Sequence, residues 1–297
     1  MGQRVSVIMP IYLGERHIEE AVRSALAQSH DDLEVIVVDD GSPDASAEIV
    51  AGIEDARIKL IRQPNQGVAG ARNAGIAASS GDFIAFLDQD DVWNPEKLSA
   101  QLPSFADPGV AAVGSLMTYL GPSGPLNATS GEIADDQQER IAAARLMPFA
   151  PSSMIIRAQA LRAVGGFDQK LAADVGPVDD LDVISRIARI GRVLTVRRSL
   201  GFYRIHAEAG TFAKFYEMQR ATRYLQDRME THQTWEEWSN SNNPSASERR
   251  YDKAKFHYRS AGLLIASGRR VAGLSRLAAS FFASPRYVVT RLRRQLG

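Results

Sequence analysis

The sequence contains no cysteine among its 297 residues, which excludes disulfide bonds and thiolate metal sites. It also contains no apolar run of the length that a membrane-spanning helix requires. The first residues lead directly into a strand-like segment, without the pattern of a signal peptide. We therefore expect a cytoplasmic protein. The hydrophobic fraction of 44% is sufficient for one large α/β domain or for a domain with a smaller appendage.

Acidic residues are missing from the C-terminal part of the chain. Asp252 is the last of the 35 acidic residues, and ten lysines and arginines follow it. Because the whole chain has a net charge of zero, residues 1–252 carry a net charge of −10. This asymmetry predicts two kinds of partner, a cation for the acidic body and an anionic surface for the basic C-terminus.

Glycine-rich phosphate loops are also missing. No Gly-x-Gly-x-x-Gly follows the first strand-like run and no Gly-Lys-Ser/Thr loop is present, which argues against dinucleotide binding and P-loop hydrolysis. Instead, apolar strand-like runs at residues 5–9, 33–38, 58–61 and 83–87 alternate with helical patterns. This alternation predicts a parallel sheet with right-handed crossovers.

The second half of the sequence is less regular. Residues 121–131 are rich in Gly, Pro and Ser and predict a loop, whereas residues 193–196 and 202–205 are strand-like. From residue 212 onward the pattern is mostly helical, with a helical hairpin interrupted at Gly268. We expect two domains, residues 1–210 and residues 211–297.

Carboxylates follow two of the predicted strands. Asp88, Asp90 and Asp91 come directly after the fourth strand, and Asp40 comes after the second. Because the carboxyl ends of parallel strands meet at one edge of a sheet, we expect these acids to converge. Arg72 lies on the helix between them, and its guanidinium group matches the geometry of phosphate oxygens. Together these residues predict a magnesium or manganese site that holds a diphosphate.

Each of these features has a second interpretation. The acids could form a solvated turn that caps the next helix, and Arg72 could make a surface ion pair. The acids Asp179, Asp180 and Asp182 favour a helix start, but one of them could be a general base, since an ordinary aspartate with a pKa of about 4 is ionised at neutral pH. Trp93 either stacks on a ring-shaped ligand or packs beneath the acidic loop.

Several short motifs occur in a fixed order along residues 4 to about 210. They are Val-Ser-Val-Ile-Met-Pro-Ile-Tyr at 5–12, Val-Val-Asp-Asp-Gly-Ser at 37–42, Asn-Gln-Gly at 65–67, Ala-Arg-Asn at 71–73, Phe-Leu-Asp-Gln-Asp-Asp at 86–91, Val-Gly-Gly-Phe-Asp at 164–168, Asp-Asp at 179–180 and Tyr-Arg-Ile-His at 203–206. This ordered set resembles the family-2 glycosyltransferases. The resemblance implies an α/β fold of the GT-A type, with a Rossmann-like, mostly parallel sheet flanked by helices, followed here by a C-terminal helical extension.

The resemblance also implies an activity. It is that of a metal-dependent, inverting hexosyltransferase that moves a sugar from a nucleotide-diphosphate donor, typically a UDP-sugar, to an acceptor hydroxyl in cell-surface polysaccharide or glycolipid assembly. By this resemblance Pro10, Tyr12 and Glu15 lie near the nucleoside. Asp40 binds the base, and Arg72 lies near the base and the phosphates.

The remaining roles that the resemblance implies concern the sugar and the metal. Asp88 faces the ribose, while Asp90, as the second acid of the Asp-x-Asp motif, and His206 bind Mn²⁺ or Mg²⁺. Asp180 matches the catalytic base. The Gln-x-x-Arg-Trp motif of processive members is missing, so we expect one or a few sugars to be added in each encounter.

Two other functions are compatible with the same residues. A nucleotidyltransferase would also use carboxylates and a metal but needs a glycine-rich loop after the first strand, and a non-catalytic carbohydrate-binding or scaffold protein could have the same fold. The basic C-terminus predicts either peripheral contact with an anionic membrane on its cytoplasmic face or a solvated helix docked on the body. No nucleic-acid partner is predicted. The apolar and basic residues concerned are Phe281, Phe282, Arg286, Tyr287, Val288, Val289, Arg291, Leu292, Arg293 and Arg294.

Overall fold

The computed structural model describes residues 3–122, 124–131, 134–205, 214–231, 233–266 and 268–296, without the side chains of residues 229–230, 266 and 292–296. The chain divides into two compact units. Unit 1 comprises residues 1–120 and 129–204, and unit 2 comprises residues 121–128 and 205–297. The boundary near residue 210 stays a prediction, because residues 206–213 lie outside the described part of the chain.

Unit 1 is built around a mixed β-sheet. The strands in the described residues are β1 Val5–Ile11, β2 Leu33–Asp39, β3 Ile58–Arg62, β4 Phe83–Phe86, β5 Val92–Trp93, β6 Val110–Gly121, β7 Gly124–Ser130, β8 Ile155–Arg157 and β9 Arg192–Arg204. Most of strand β7 belongs to unit 2. The sheet order is β3-β2-β1-β4-β8-β6-β9-β5. The pairs β1–β2, β1–β4 and β2–β3 are parallel, which confirms the predicted alternation, whereas β8 runs antiparallel to both β4 and β6.

Helices cover both faces of this sheet. They are α1 Ile18–Leu26, α2 Ser46–Ala51, α3 Gly67–Ala78, α4 Lys97–Gln101, α5 Gln138–Ala142, α6 Ala158–Ala163, α7 Gln169–Asp174 and α8 Asp179–Ala188. One hydrophobic cluster packs α1, α2 and α4 against the sheet, and a second packs α3, α5, α6 and α8 against the other face. The central strands are continuously apolar because neither face meets water.

The prediction for residues 121–131 is wrong. The predicted loop contains strand β7, whose side chains are all at least partly exposed and therefore leave no hydrophobic periodicity. The segments predicted to be strand-like at residues 193–196 and 202–205 are confirmed except for Ile205, and both belong to the single strand β9. Its middle, Arg197 to Ser199, is polar and exposed, and the register shift against β6 occurs there.

Unit 2 is helical in its described residues after Lys214. Its helices are α9 Phe215–Thr231, α10 Trp235–Ser241, α11 Ala246–Ala266, α12 Arg270–Ala283 and α13 Pro285–Leu296. The predicted interruption at Gly268 is confirmed, since this residue has a positive φ of 80° between α11 and α12. No helix in the described part of the chain is both long and apolar enough to cross a membrane.

Candidate active site

The loops that carry the predicted ligand-binding residues leave the sheet at one edge. The residue pairing of β1 with β2 and with β4 brings the carboxyl ends of these three parallel strands together. The loops that follow them carry Tyr12, Asp40 and Asp88. These residues are far apart in sequence, and the sheet alone makes them neighbours.

The loop after β1 is fastened to the loop after β2 by side chains. Gly14 N donates to Ser46 Oγ at 2.8 Å, and Glu15 N donates to Asp44 Oδ2 at 3.1 Å. The Glu15 carboxylate accepts a hydrogen bond from Ala45 N at 3.2 Å. Glu15 is therefore part of the connection between the two loops.

The other residues predicted to lie near a nucleoside differ in their surroundings. Pro10 is buried within β1, whereas the Tyr12 side chain, directly beyond this strand, is 44% exposed. Asp40 is buried, and its Oδ1 accepts hydrogen bonds from Gln63 Nε2 at 2.8 Å and from Gln66 N at 2.9 Å. These hydrogen bonds from Gln63 and Gln66 to Asp40 fix the turn that leads into α3.

Gln89, between the acids of the Asp-x-Asp motif, connects this motif to the β1 loop. Tyr12 N donates to Gln89 Oε1 at 2.8 Å, and Gln89 Nε2 donates to Tyr12 O at 3.0 Å. Gly14 allows this approach, because a Cβ on Gly14 would lie 2.6 Å from Gln89 Oε1. Sequence reasoning treated Gln89 only as the variable residue of the motif and missed this connection.

Arg72 is the buried centre of an ion-pair network. Its Nη1 donates to Asp179 Oδ2 at 3.0 Å, and its Nη2 donates to Asp88 Oδ1 at 2.9 Å. The guanidinium carbon also lies 5.2 Å from the centre of the Phe167 ring. Burial opposes the charge of Arg72, but Asp88, Asp179 and Asp180 hold its pKa above the ordinary value. The surface ion pair considered for Arg72 is therefore wrong.

The network brings the start of α8 close to the Asp-x-Asp motif. Asp180 Oδ1 accepts a hydrogen bond from Leu181 N at 2.7 Å. Burial, together with the charge of Asp179, raises the pKa of Asp180 to about 7, although Arg72 opposes this rise. The expectation of an ordinary aspartate is thus wrong, because Asp180 exchanges its proton near neutral pH.

Its neighbours in the same helical turn have structural partners. Asp179 pairs with Arg72, as described above, and Asp182 forms an ion pair with Arg186. Arg186 also donates to the Gly166 carbonyl at 2.8 Å and so ties α8 to the Gly-Gly-Phe-Asp turn. The three acids of this cluster therefore have different partners.

We call residues 88–91, which carry Asp88, Asp90 and Asp91, the acidic loop, and Trp93 lies beneath it. Trp93 is buried and donates from Nε1 to Ser152 O at 2.6 Å, so it packs under the loop and does not offer its ring to a ligand. Ser152 Oγ accepts a hydrogen bond from Asp88 N at 3.0 Å. Asp91 accepts one from Arg204 N at 2.9 Å. Ser152 is a second residue that sequence reasoning missed, since one serine carries no sequence signal.

The loop after β4 carries three carboxylates, Asp88, Asp90 and Asp91, within four positions. Burial, with the charges of Asp90 and Asp88, raises the pKa of Asp91 well above its ordinary value. Carboxylate oxygens are the donors that Mg²⁺ and Mn²⁺ prefer, so the donor chemistry of this loop suits a divalent cation. No group of three or more metal-binding side chains stands together in the described residues. The predicted ligand His206 lies outside them.

The sequence profile described as "Glycosyl transferase family 2" matches residues 6–165. This match covers more than half of the chain and contains the Asp40, Arg72 and Asp-x-Asp segments. The chain belongs to glycosyltransferase family 2. The resemblance noted from the motifs is thereby confirmed.

Sequence relatives of this family-2 member include both uncharacterized and named proteins. An "Uncharacterized glycosyltransferase" of Nostoc sp. is 31% identical over 219 residues, which are 68% of this chain and 65% of the relative. The "UDP-Glc:alpha-D-GlcNAc-diphosphoundecaprenol beta-1,3-glucosyltransferase WfgD" of Escherichia coli is 43% identical over 99 residues, 33% of this chain and 39% of the relative. The chain therefore spans less than two thirds of the length of either protein.

Solved structures support the fold of this family-2 chain. The "Mannosyltransferase PcManGT" of Pyrobaculum calidifontis, solved with GDP-Man and Mn²⁺, has a TM-score of 0.60 and 20% sequence identity. The similarity covers 99% of this chain and 79% of the other. The predicted GT-A fold, with a mostly parallel sheet, flanking helices and C-terminal helices, is confirmed.

Proposed function

We propose that the chain is a metal-dependent, inverting glycosyltransferase that moves a sugar from a nucleotide-diphosphate donor to an acceptor hydroxyl. The observation that carries this proposal is the Arg72 network. It joins Asp88 of the Asp-x-Asp motif to the helix start that holds Asp180, whose pKa is raised to about 7. A general base with a pKa near the working pH is suited to accept a proton from a hydroxyl group.

The chemical step follows from these positions. A lone pair of the acceptor oxygen forms a bond to the anomeric carbon while its proton passes to the Asp180 carboxylate. The bond from the anomeric carbon to the diphosphate breaks, and its electron pair leaves with the diphosphate. Attack from the face opposite the leaving group inverts the anomeric configuration. In this proposal Arg72 lies near the base and the phosphates, and its two ion pairs orient Asp88 and Asp179 at the site.

The donor is proposed to bind at the shared edge of β1, β2 and β4. Tyr12 offers an exposed ring beside the nucleoside, while Pro10 and Glu15 shape the loop around it. Asp40 recognises the base and Asp88 the ribose. UDP is the favoured nucleotide, supported by the name of the Escherichia coli relative, whereas the Pyrobaculum structure contains a GDP-sugar.

Mn²⁺ or Mg²⁺ is the proposed cofactor. Asp90 would hold it, together with His206. When bound, the ion offsets the charge of the donor diphosphate. The carboxylate chemistry of this loop supports the assignment, because Mg²⁺ and Mn²⁺ prefer oxygen ligands.

The acceptor class and the number of sugars added are proposals too. The name of the Escherichia coli relative includes a diphosphoundecaprenol-linked acceptor, which supports a saccharide or lipid-linked acceptor in polysaccharide or glycolipid assembly. The missing Gln-x-x-Arg-Trp motif supports addition of one or a few sugars in each encounter. Membership of family 2 favours this function over the nucleotidyltransferase considered from the sequence.

A panel of nucleotide sugars tests the proposal. We expect one UDP-sugar to raise the melting temperature of the full chain in the presence of Mn²⁺ and to be cleaved slowly to UDP. The same sugar with a chelator should have a much smaller effect. If no nucleotide sugar changes the melting temperature with Mn²⁺ present, the donor assignment is wrong.

A matched pair of variants separates metal binding from folding. Asp90→Asn should lose the Mn²⁺-dependent part of the shift. Asp136→Asn, a change of an exposed acid away from this loop, should retain it. If both variants show equal Mn²⁺-dependent shifts in melting temperature, Asp90 is not a metal ligand.

A further inference from the structure

Helix α12 turns its large apolar side chains away from the rest of unit 2. Val271 and Phe282 are each 85% exposed, Leu274 is 59% exposed and Phe281 is 46% exposed. With the exposed Ala278, these residues follow i, i+3, i+7, i+10, i+11 spacing, which places them on one side of an α-helix. We call these five residues the outer face of α12.

The opposite side of the helix is fixed against α11 by small residues. Gly273 and Ser280 are buried, and Ser280 Oγ donates to Ala254 O at 2.8 Å. A Cβ on Gly273 would lie 2.4 Å from Ile265 Cγ1, so the two helices approach closely at this point. A helix on the surface of a globular protein normally has its large apolar residues on the packed side. In α12 only Leu277 of the large apolar residues packs against the core of unit 2, whereas Val271, Leu274, Phe281 and Phe282 are exposed.

Arginines border the outer face. Arg269 and Arg270 lie at its N-terminal end, and Arg286 follows its C-terminal end in the chain. None of the three side chains has a hydrogen-bond or ion-pair partner within the described part of unit 2. Since no acidic residue follows Asp252, the sequence near this face offers them only cationic neighbours. An apolar helix face beside unpaired arginines is complementary to anionic lipid headgroups above a hydrocarbon layer.

We propose that the outer face of α12 docks on an anionic membrane surface. A lipid surface is favoured over a second copy of the chain, because a symmetric pair of copies would place the same arginines against each other. From the sequence, the C-terminal residues as a group have two alternatives, membrane contact or a helix docked on the body, and this proposal limits the membrane contact to α12. Tyr287 and Val288 are buried against Ala254 in the core of unit 2, so these two cannot reach a membrane.

Sedimentation of the full chain with lipid vesicles tests the proposal. We expect binding to vesicles of equal parts phosphatidylcholine and phosphatidylglycerol, and much weaker binding to phosphatidylcholine alone. The double substitution Phe281→Ser and Phe282→Ser should lower the partition coefficient at least about tenfold, because both rings lose their burial in lipid. Ile190→Ser, which changes an exposed apolar residue of unit 1, should leave it unchanged.

A second variant tests the electrostatic part. Arg269→Gln with Arg270→Gln should weaken binding to the anionic vesicles by roughly tenfold at low salt, and high salt should remove this difference. Circular dichroism of each variant checks that its helices are intact. Vesicle binding needs no sugar donor, so its outcome is separate from that of the proposed transfer.

Three outcomes would overturn the proposal. The first is that the wild-type chain does not bind anionic vesicles. The second is that the double phenylalanine variant binds them as well as the wild type. The third is that the wild type forms a dimer by sedimentation equilibrium and the phenylalanine variant is monomeric, which would assign the outer face to a second copy.

Discussion

The two units concentrate charge of opposite sign, and the ionisation of their buried groups reflects this. At the edge of the sheet in unit 1, burial and then the charges of neighbouring carboxylates raise the pKa of Asp91 and Asp180. In unit 2, burial and nearby arginines lower the pKa of Lys255 to about 8. In both regions, burial and neighbouring charges of the same sign disfavour the ionised form of these groups. Such a surplus in a folded protein indicates a binding partner of the opposite sign, a cation and its diphosphate in unit 1 and an anionic surface in unit 2.

The units also differ in how firmly their charges are held. In unit 1 the acidic loop is fixed by the Gln89 pair with Tyr12, by Ser152 and by Arg72. In unit 2 the arginines beside α12 have no such partners among the described residues. Fixed groups suit a reaction that needs defined geometry, whereas unpaired cations on a helix suit a fluid surface of lipid headgroups.

The largest expected effect concerns the carboxylate with the raised pKa. Asp180→Asn should lower the transfer rate by about a thousandfold, because the acceptor then has no base, while donor binding is retained. Wild-type transfer should rise with pH and reach half its maximum near pH 7, as Asp180 loses its proton. A pH profile of the initial rate on the active donor measures both effects.

The same variant should also be more stable than the wild type. Since the pKa of Asp180 is raised in the fold, its stabilising contribution is present below the unfolded pKa near 4 and lost as pH rises through about 7. The gain from Asn should therefore be small at pH 5 and on the order of 2 kcal/mol at pH 8. Asp182→Asn is the control, because it breaks the Arg186 ion pair and should destabilise the chain. Equal stability changes in the two variants would contradict the assigned surroundings.

The next effect tests whether unit 1 needs its fixed loops. Gln89→Met keeps the size of the side chain but removes both hydrogen bonds to Tyr12, which together are worth about 1–2 kcal/mol. We expect KM for the donor to rise about tenfold with a smaller change in kcat, because the β1 loop no longer holds the nucleoside against the acidic loop. Gln137→Met, away from this loop, is the matched control. A fall in kcat alone would show that Gln89 acts on the reaction and not on donor binding.

Much of unit 1 could be predicted from its sequence, for a physical reason. Its parallel strands are apolar on both faces, and the helices between them have clear periodicity, so local pattern and tertiary burial agree. The same topology places Asp40 and Asp88 at one edge of the sheet, after the strands on either side of β1, without any knowledge of side-chain contacts. Strand β7 was missed because its side chains do not pack in a core, so burial leaves no mark on its sequence.

The connections within the site could not be read from the sequence. The Gln89 pair depends on the close approach of Tyr12 and Gly14, which are distant in sequence, and a glutamine has no periodic signal. The pKa of Asp180 depends on burial and on the charges of Asp179 and Arg72, which pair with each other. The sequence around Asp180 shows neither its burial nor this pair, so it predicts an aspartate with an ordinary pKa. The outer face of α12 was missed because helical periodicity shows that a helix is amphipathic but not which side is packed.

The smallest expected effects compare the buried Lys97 of unit 1 with the partly buried Lys255 of unit 2. Lys97 is fully buried, and burial alone lowers its pKa well below the ordinary value, with Gln101 Oε1 accepting its hydrogen bond at 2.7 Å. The pKa of Lys255 is lowered to about 8 by burial first and then by Arg259. Replacing either residue by Met should raise the free energy of unfolding by about 1–2 kcal/mol at pH 7, since a buried charge is removed.

The pH and anion dependence of these gains distinguishes the two units. Because both folded pKa values are lowered, the cost of each lysine is absent above about pH 10 and grows as pH falls toward the folded value. The gain from Lys255→Met should therefore level off near pH 8, whereas the gain from Lys97→Met should continue to grow. Inorganic phosphate should reduce the stability gain from Lys255→Met, because a bound anion offsets the repulsion between Lys255 and the nearby arginines. It should not change the gain from Lys97→Met, because an anion cannot reach this enclosed lysine. Thermal unfolding across pH, with and without phosphate, measures both, and an equal response at the two lysines would contradict the contrast between the units.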